Sequence, residues 1–253
     1  MISYKIYKSY SLGEEYRGIF PRAKFVDKIS TADFVLLEDG PPPNPTFFGS
    51  KRPPITSIIP FYDNARDYID RQAMEEAILC KIPIIGIGRG ASILGLKAGT
   101  DIIQTYKKEQ NLNKVKIRTS ANTFIDSYAY VKALCIPYPY SGRINKYDYF
   151  VLSRLLYAPN DCKLDDYTSI TPEEVPDIIH YSNFGNSNIE ALGINSDPER
   201  IAYIMGRRQS RPPVREETNE IYKKMRSYLS TINGTIFNMV KDNKKWKTEG
   251  RIS

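Results

Sequence analysis

One segment constrains the fold more than any other: Lys81-Ile82-Pro83-Ile84-Ile85-Gly86-Ile87-Gly88-Arg89-Gly90-Ala91-Ser92-Ile93-Leu94-Gly95-Leu96. Its first half is a continuous apolar run of β-branched residues, the pattern of a strand buried on both faces. The run enters Gly-x-Gly-x-Gly and leaves it as a helical apolar pattern. Strand, glycine turn and helix together make the repeating unit of a doubly wound α/β fold. Such a fold has a mostly parallel sheet flanked by helices, with sites outside the carboxyl ends of the strands.

The flanking sequence supplies matching elements. Ser3 to Lys8 alternates like a strand, and Ala32 to Leu37 is a short apolar run of buried-strand length. The stretch 38–45, Glu-Asp-Gly-Pro-Pro-Pro-Asn-Pro, reads as a loop leaving a strand, because proline lacks a donor and fixes φ. Asp67 to Lys81 has helical spacing, with Ile69, Ala73, Ala77 and Ile78 on one face. Ala129 to Pro137 and Tyr147 to Tyr157 read as strands, and Pro176–Tyr181 can pair with Ala191–Ile194. Glu216 to Tyr228 reads as an amphipathic helix with Ile221, Met225 and Tyr228 on one face. The expected organisation is one α/β domain over 1–240 and a basic, flexible tail over 241–253.

Composition narrows the function classes. The 253 residues have the apolar and charged balance of a soluble globular protein, and no apolar run reaches the roughly 18 to 20 residues of a membrane span. The N-terminus carries no signal-like apolar block, so the expected location is the cytoplasm. Three widely spaced cysteines (Cys80, Cys135, Cys162) form no disulfide framework, and a lone histidine, His180, cannot build a multi-histidine metal centre. No metal and no cofactor are expected, and His180 reads as a packed strand residue. Heavy use of Lys, Ile, Asn and Tyr fits an AT-rich genome, as of a bacteriophage or a low-GC bacterium.

The net charge of +7 gathers late in the chain: Arg207, Arg208, Arg211 and Arg215, then Lys241, Lys244, Lys245, Lys247 and Arg251. Lys244, Lys245 and Lys247 around Trp246 suit phosphate contact and base stacking, so nucleic acid is a candidate partner. The competing reading is a solvated basic surface.

The glycine turn admits two chemical readings. Gly86-x-Gly88-x-x-Ala91 satisfies the loose dinucleotide pattern, with Glu109 as a distant match for the ribose-binding acid. The second reading is a nucleophile elbow, a sharp turn whose flanking residues are small because the bend leaves no room for β-carbons. Here the chain resembles the class I glutamine amidotransferases, in particular their γ-glutamyl hydrolase-like branch. In that family the turn reads Gly-Ile-Cys-Arg-Gly-x-Gln, and residues 86–92 follow it. Asn44-Pro45-Thr46-Phe47-Phe48-Gly49 is similar to the family's Asn-Pro-x-x-Tyr-Gly. Residues 193–199, Gly-Ile-Asn-Ser-Asp-Pro-Glu, are similar to its Gly-Val-Gln-x-His-Pro-Glu. The middle of the chain, 106–174, carries no matched motif.

The resemblance implies a flavodoxin-like sheet and a glutamine-hydrolysing triad, and the departures fall on that triad. Gly88 stands where the nucleophilic cysteine belongs, Asp197 where the histidine belongs, and only the third member, Glu199, is kept. Ser92 replaces the glutamine that helps seat substrate. The oxyanion loop reads Asp39-Gly40-Pro41, and proline donates no N–H. Together with Arg89 and Gly90 these residues line what the resemblance makes a vestigial pocket. An aspartate does not replace an imidazole poised near neutral pH. The expectation is a pseudoenzyme that binds, scaffolds or regulates, with a protein partner or a second copy and no membrane. The rivals are an active amidotransferase or γ-glutamyl hydrolase using altered residues, and a nucleic-acid-associated protein.

Overall fold

The computed structural model describes residues 3–10, 16–48, 62–104, 111–118, 123–131, 135–138, 148–155, 175–208 and 216–249. The strands are β1 (Lys5–Lys8), β2 (Lys24–Phe25), β3 (Phe34–Leu37), β4 (Ile84–Ile87), β5 (Asp101–Gln104), β6 (Asn111–Arg118), β7 (Phe124–Val131), β8 (Cys135–Tyr138), β9 (Asp148–Leu155), β10 (Val175–Phe184) and β11 (Ile189–Ile194). The helices are α1 (Asn64–Leu79), α2 (Arg89–Ala98), α3 (Pro198–Arg208) and α4 (Glu216–Thr248).

Among the described residues, nine strands form one sheet in the order β2-β1-β3-β4-β11-β10-β9-β6-β7. From β2 to β11 neighbours pair in parallel, with Leu37 beside Gly86 and Ile87 beside Ile194. From β11 to β7 they pair antiparallel. This is the expected doubly wound α/β architecture with an antiparallel extension, and it includes the expected pairing of 176–181 with 191–194. β5 and β8 form a separate two-stranded sheet.

Alternation along each strand divides the core in two. Phe34, Leu36, Ile85, Ile87, Leu192 and Ile194 face α4, which offers Met225, Tyr228, Ile232, Ile236, Met239 and Val240. Val35, Leu37, Ile84 and Ala191 face α1 and α2, represented by Ala73, Met74, Ala77, Ile93 and Leu94. Both faces of the parallel half are therefore covered, which is why its strands read as unbroken apolar runs.

Several expectations need correction. Helix α1 starts at Asn64, where the Asp63 side chain accepts the Arg66 N–H at 3.0 Å, the usual service of an N-cap carboxylate. Ile69, expected on its apolar face, is 38% exposed, because Asp67 and Asp70 occupy the buried stripe with Ala73 and Ala77. The strand expected over 129–137 is two, the end of β7 and then β8, with 132–134 outside the described residues.

The largest correction concerns the C-terminus. The segment from 241, expected as a flexible tail, continues α4 to Thr248. The buried stripe runs on from Val240 to Asn243, and Lys244 Nζ lies 2.6 Å from Asp33 Oδ1. At 1.5 Å per residue, α4 is about 50 Å long. It spans from the carboxyl edge of the parallel strands, near Ser196, to the amino edge, near Asp33.

Candidate functional site

Three parallel strands end side by side, and each delivers one part of the site. β3 runs into Glu38-Asp39-Gly40-Pro41, β4 into Gly88, and β11 into Asn195-Ser196-Asp197. The Gly88 N–H donates to the Ile194 carbonyl at 2.8 Å, fastening the elbow to the end of β11. Every residue of the expected vestigial pocket is thus brought to one edge of the sheet.

The elbow is sharp. Gly88 has φ 53° and ψ −106°, a combination that side chains rarely adopt. A β-carbon on Gly90 would overlap the Leu37 carbonyl, so its absence lets α2 lie directly on β3. The turn has the strand-to-helix bend expected of a nucleophile elbow, with Gly88 at its apex.

The apex is not empty. A β-carbon built on Gly88 would overlap the Asp39 carboxylate. Asp39 Oδ1 accepts the Arg89 backbone N–H at 3.1 Å, so this carboxylate sits on the amino end of α2. The loop carrying Asp39 turns its own backbone donor elsewhere: the Asp39 N–H goes to the Tyr16 hydroxyl at 3.0 Å. Burial holds the Tyr16 hydroxyl well above its usual pKa, so it stays protonated at neutral pH.

Arg89 points inward and is 2% exposed. Its guanidinium donates to Asp67 Oδ1 at 2.5 Å, to Asp70 Oδ2 at 2.8 Å and to the Pro41 carbonyl at 2.7 Å. Asp70 also accepts the buried Ser9 hydroxyl at 2.6 Å, and Asp67 accepts the Asn44 N–H at 3.2 Å. Arg66 donates to the carbonyls of Glu38 at 3.2 Å and Asp39 at 2.6 Å, and stacks over Tyr10. Burial pushes the Asp67 carboxyl above its usual range, against the pull of Arg89. Sequence reasoning missed this network. Its one local signal is two aspartates on the stripe that α1 buries.

The other residues singled out by the resemblance have engagements of their own. Asp197 is the N-cap of α3, its Oδ1 accepting the Arg200 N–H at 2.9 Å. Glu199 Oε1 accepts the Gly18 N–H at 3.1 Å and so holds the 16–19 turn. Ser92 is buried one turn into α2, with its hydroxyl 3.4 Å from the Gly88 carbonyl. Beside Asp197, the buried Asp177 accepts the Ser196 N–H at 3.0 Å and the Tyr228 hydroxyl at 2.6 Å, and Ser196 Oγ also contacts Tyr228. Burial first, then the Asp177 charge, pushes the Tyr228 hydroxyl well up. This cluster anchors α4 to the loop that bears Asp197.

Other candidates lie away from the elbow. Cys80 is the C-cap of α1, on the amino side of β4, and His180 sits within β10, 3.7 Å from Glu190. Lys244, Lys245 and Lys247 stand on the last turns of α4, at the amino edge opposite the elbow. The Trp246 side chain, Gly49, Glu109, Cys162, Arg211, Arg215 and Arg251 lie outside the described residues. No helix among the described residues is long and apolar enough to cross a membrane.

Comparison with known proteins agrees with this geometry. Residues 21–132 match the peptidase C26 family. The structure titled PurLQS from Thermotoga maritima is 14% identical, covers 91% of this chain and 98% of its own, and superposes with a TM-score of 0.51. A glutamine amidotransferase from Methylobacillus flagellatus (10% identity, 94% of each chain, TM-score 0.49) is also similar. So is one from Thermotoga maritima (12% identity, 96% of this chain and 91% of that one, TM-score 0.47). No curated protein matches the chain. Over residues 21–132 the chain is thus similar to the peptidase C26 family, and it shares the fold of the PurLQS structure.

Proposed function

We propose that this protein is a catalytically inactive member of the glutamine amidotransferase group that acts by binding, as a scaffolding or regulatory partner of another protein. The observation that carries the reading is the apex of the elbow. Gly88 offers no nucleophile there, and Asp197, which stands at the base position, is the cap of α3.

Loss of one triad member can leave residual catalysis, because the oxyanion donors and substrate binding persist. Here nucleophile and base are both replaced, and the loop of the oxyanion site presents a carboxylate where donors are required. Hydrolysis of glutamine through a γ-glutamyl thioester has no group to start it. The core that forms the pocket is nevertheless intact, with α1, α2 and α4 packed on both faces of the sheet. Retention of a full scaffold around a disarmed site supports a role carried by surfaces.

The test is ammonia release from glutamine and from γ-glutamyl amides by the purified wild-type protein, with an active amidotransferase as positive control. The reading expects no release above the enzyme-free blank. Turnover abolished by changing a residue of the elbow edge would overturn it.

A further inference from the structure

We propose that Asp39 is an internal occupant of the elbow: its carboxylate takes the place on the α2 amino terminus where a substrate's oxyanion would be received. This rests on the inactive reading above and adds that the site is filled from within as well as disarmed.

Three features hold the carboxylate there. The Arg89 N–H, which follows the apex, is the donor that an elbow normally aims at the developing charge, and Asp39 Oδ1 accepts it at 3.1 Å. The backbone around Asp39 is clamped from behind, with Arg66 on the carbonyls of Glu38 and Asp39 and Arg89 on the carbonyl of Pro41. The Asp39 N–H is drawn to Tyr16, which turns the loop's donor away and leaves its side chain toward the turn. The missing β-carbon at Gly88 is what makes room: any side chain at the apex would overlap this carboxylate. Glycine at 88 and aspartate at 39 therefore form one arrangement, and a side chain at 88 enters only if the carboxylate shifts aside.

The test uses a thiol as a probe. Gly88→Cys and Gly88→Cys/Asp39→Asn are each treated with iodoacetamide and with iodoacetate near neutral pH, and the adduct is located by peptide mass mapping. Gly88 and Asp39 are both partly exposed, so the reagents reach the apex. A carboxylate beside the introduced thiol keeps it protonated, so neutralising Asp39 should speed alkylation by iodoacetamide about tenfold or more. Iodoacetate, itself an anion, should gain more than iodoacetamide. Equal rates in the two variants, within about twofold, would overturn the proposal.

Should Gly88→Cys not fold, thermal melts of Gly88→Ala, Asp39→Gly and the double variant decide. Recovery of Gly88→Ala by Asp39→Gly supports the occupant, and additive losses overturn it. Wild-type ammonia release would defeat the inactive reading and leave these outcomes intact, so the two fail separately.

Discussion

Replacing Arg89 by methionine probes the buried ion network most sharply. Methionine fills much of the stem but supplies no charge, leaving Asp67 and Asp70 at 0% exposure without their shared partner. Arg66, with Nε 3.6 Å from Asp70 Oδ2, still serves one of them, so Asp67 is the stranded charge. Removing one partner of a buried pair costs about 3–5 kcal/mol. In a chain of this size that lowers Tm by roughly 6–20 °C. The pH dependence follows from the sign of the Asp67 shift. Its folded-state pKa is raised, so its contribution is most favourable below the unfolded value and is lost as pH rises through the folded one. Removing Arg89 raises that pKa further, so the deficit against wild type grows from acid toward neutral pH. Melts of both proteins at about pH 5 and about pH 7.5 measure it. Adding Asp67→Asn removes the stranded charge and should regain part of the loss. A deficit below about 1 kcal/mol, the size of a surface pair, would refute the reasoning, as would one that does not change with pH.

Other substitutions test the remaining contacts. Gly90→Ala drives a β-carbon into the Leu37 backbone carbonyl and should cost about 2–3 kcal/mol or more in denaturant melts, whereas a silent change would mean that α2 does not lie on β3. Tyr228→Phe takes the hydroxyl from Asp177 and Ser196 and should cost about 1–3 kcal/mol, read in the same melts. Asp197→Ala should lose about 1 kcal/mol as a missing cap while Asp197→Ser loses a few tenths, a pattern that a purely vestigial residue would not give. Lys244→Ala removes an exposed end of the ion pair with Asp33 and should change stability by less than about 1 kcal/mol, because the apolar stripe holds α4 in place.

The central strand and the elbow were legible in the sequence because their signals are local. Ile84 to Ile87 is apolar at every position, and the glycines mark where backbone meets backbone. β6 was harder to see, since Lys114, Lys116 and Arg118 alternate with the buried Val115 and Ile117, and its described side chains are half polar. The end of α4 misled for a related reason: Asn243 takes the next buried place after Val240, so the apolar stripe ends before the helix does. What joins the site is long-range. Asp39 and Arg89 lie 50 positions apart and Ser196 and Tyr228 lie 32 apart, and no periodicity connects them. The expectation of a lost triad rests on the residue types at 88 and 197, whereas the contact of the Asp39 carboxylate with the Arg89 N–H is made only by the fold.

The most direct test of the account is the formation of glutamate from glutamine by wild-type protein at high concentration, followed until a single turnover per molecule would register. The account predicts a signal indistinguishable from the enzyme-free blank, unchanged by Asp197→Ala. Glutamate above the blank that disappears on changing Asp39, Ser92 or Asp197 would contradict it and place a working nucleophile at this edge of the sheet.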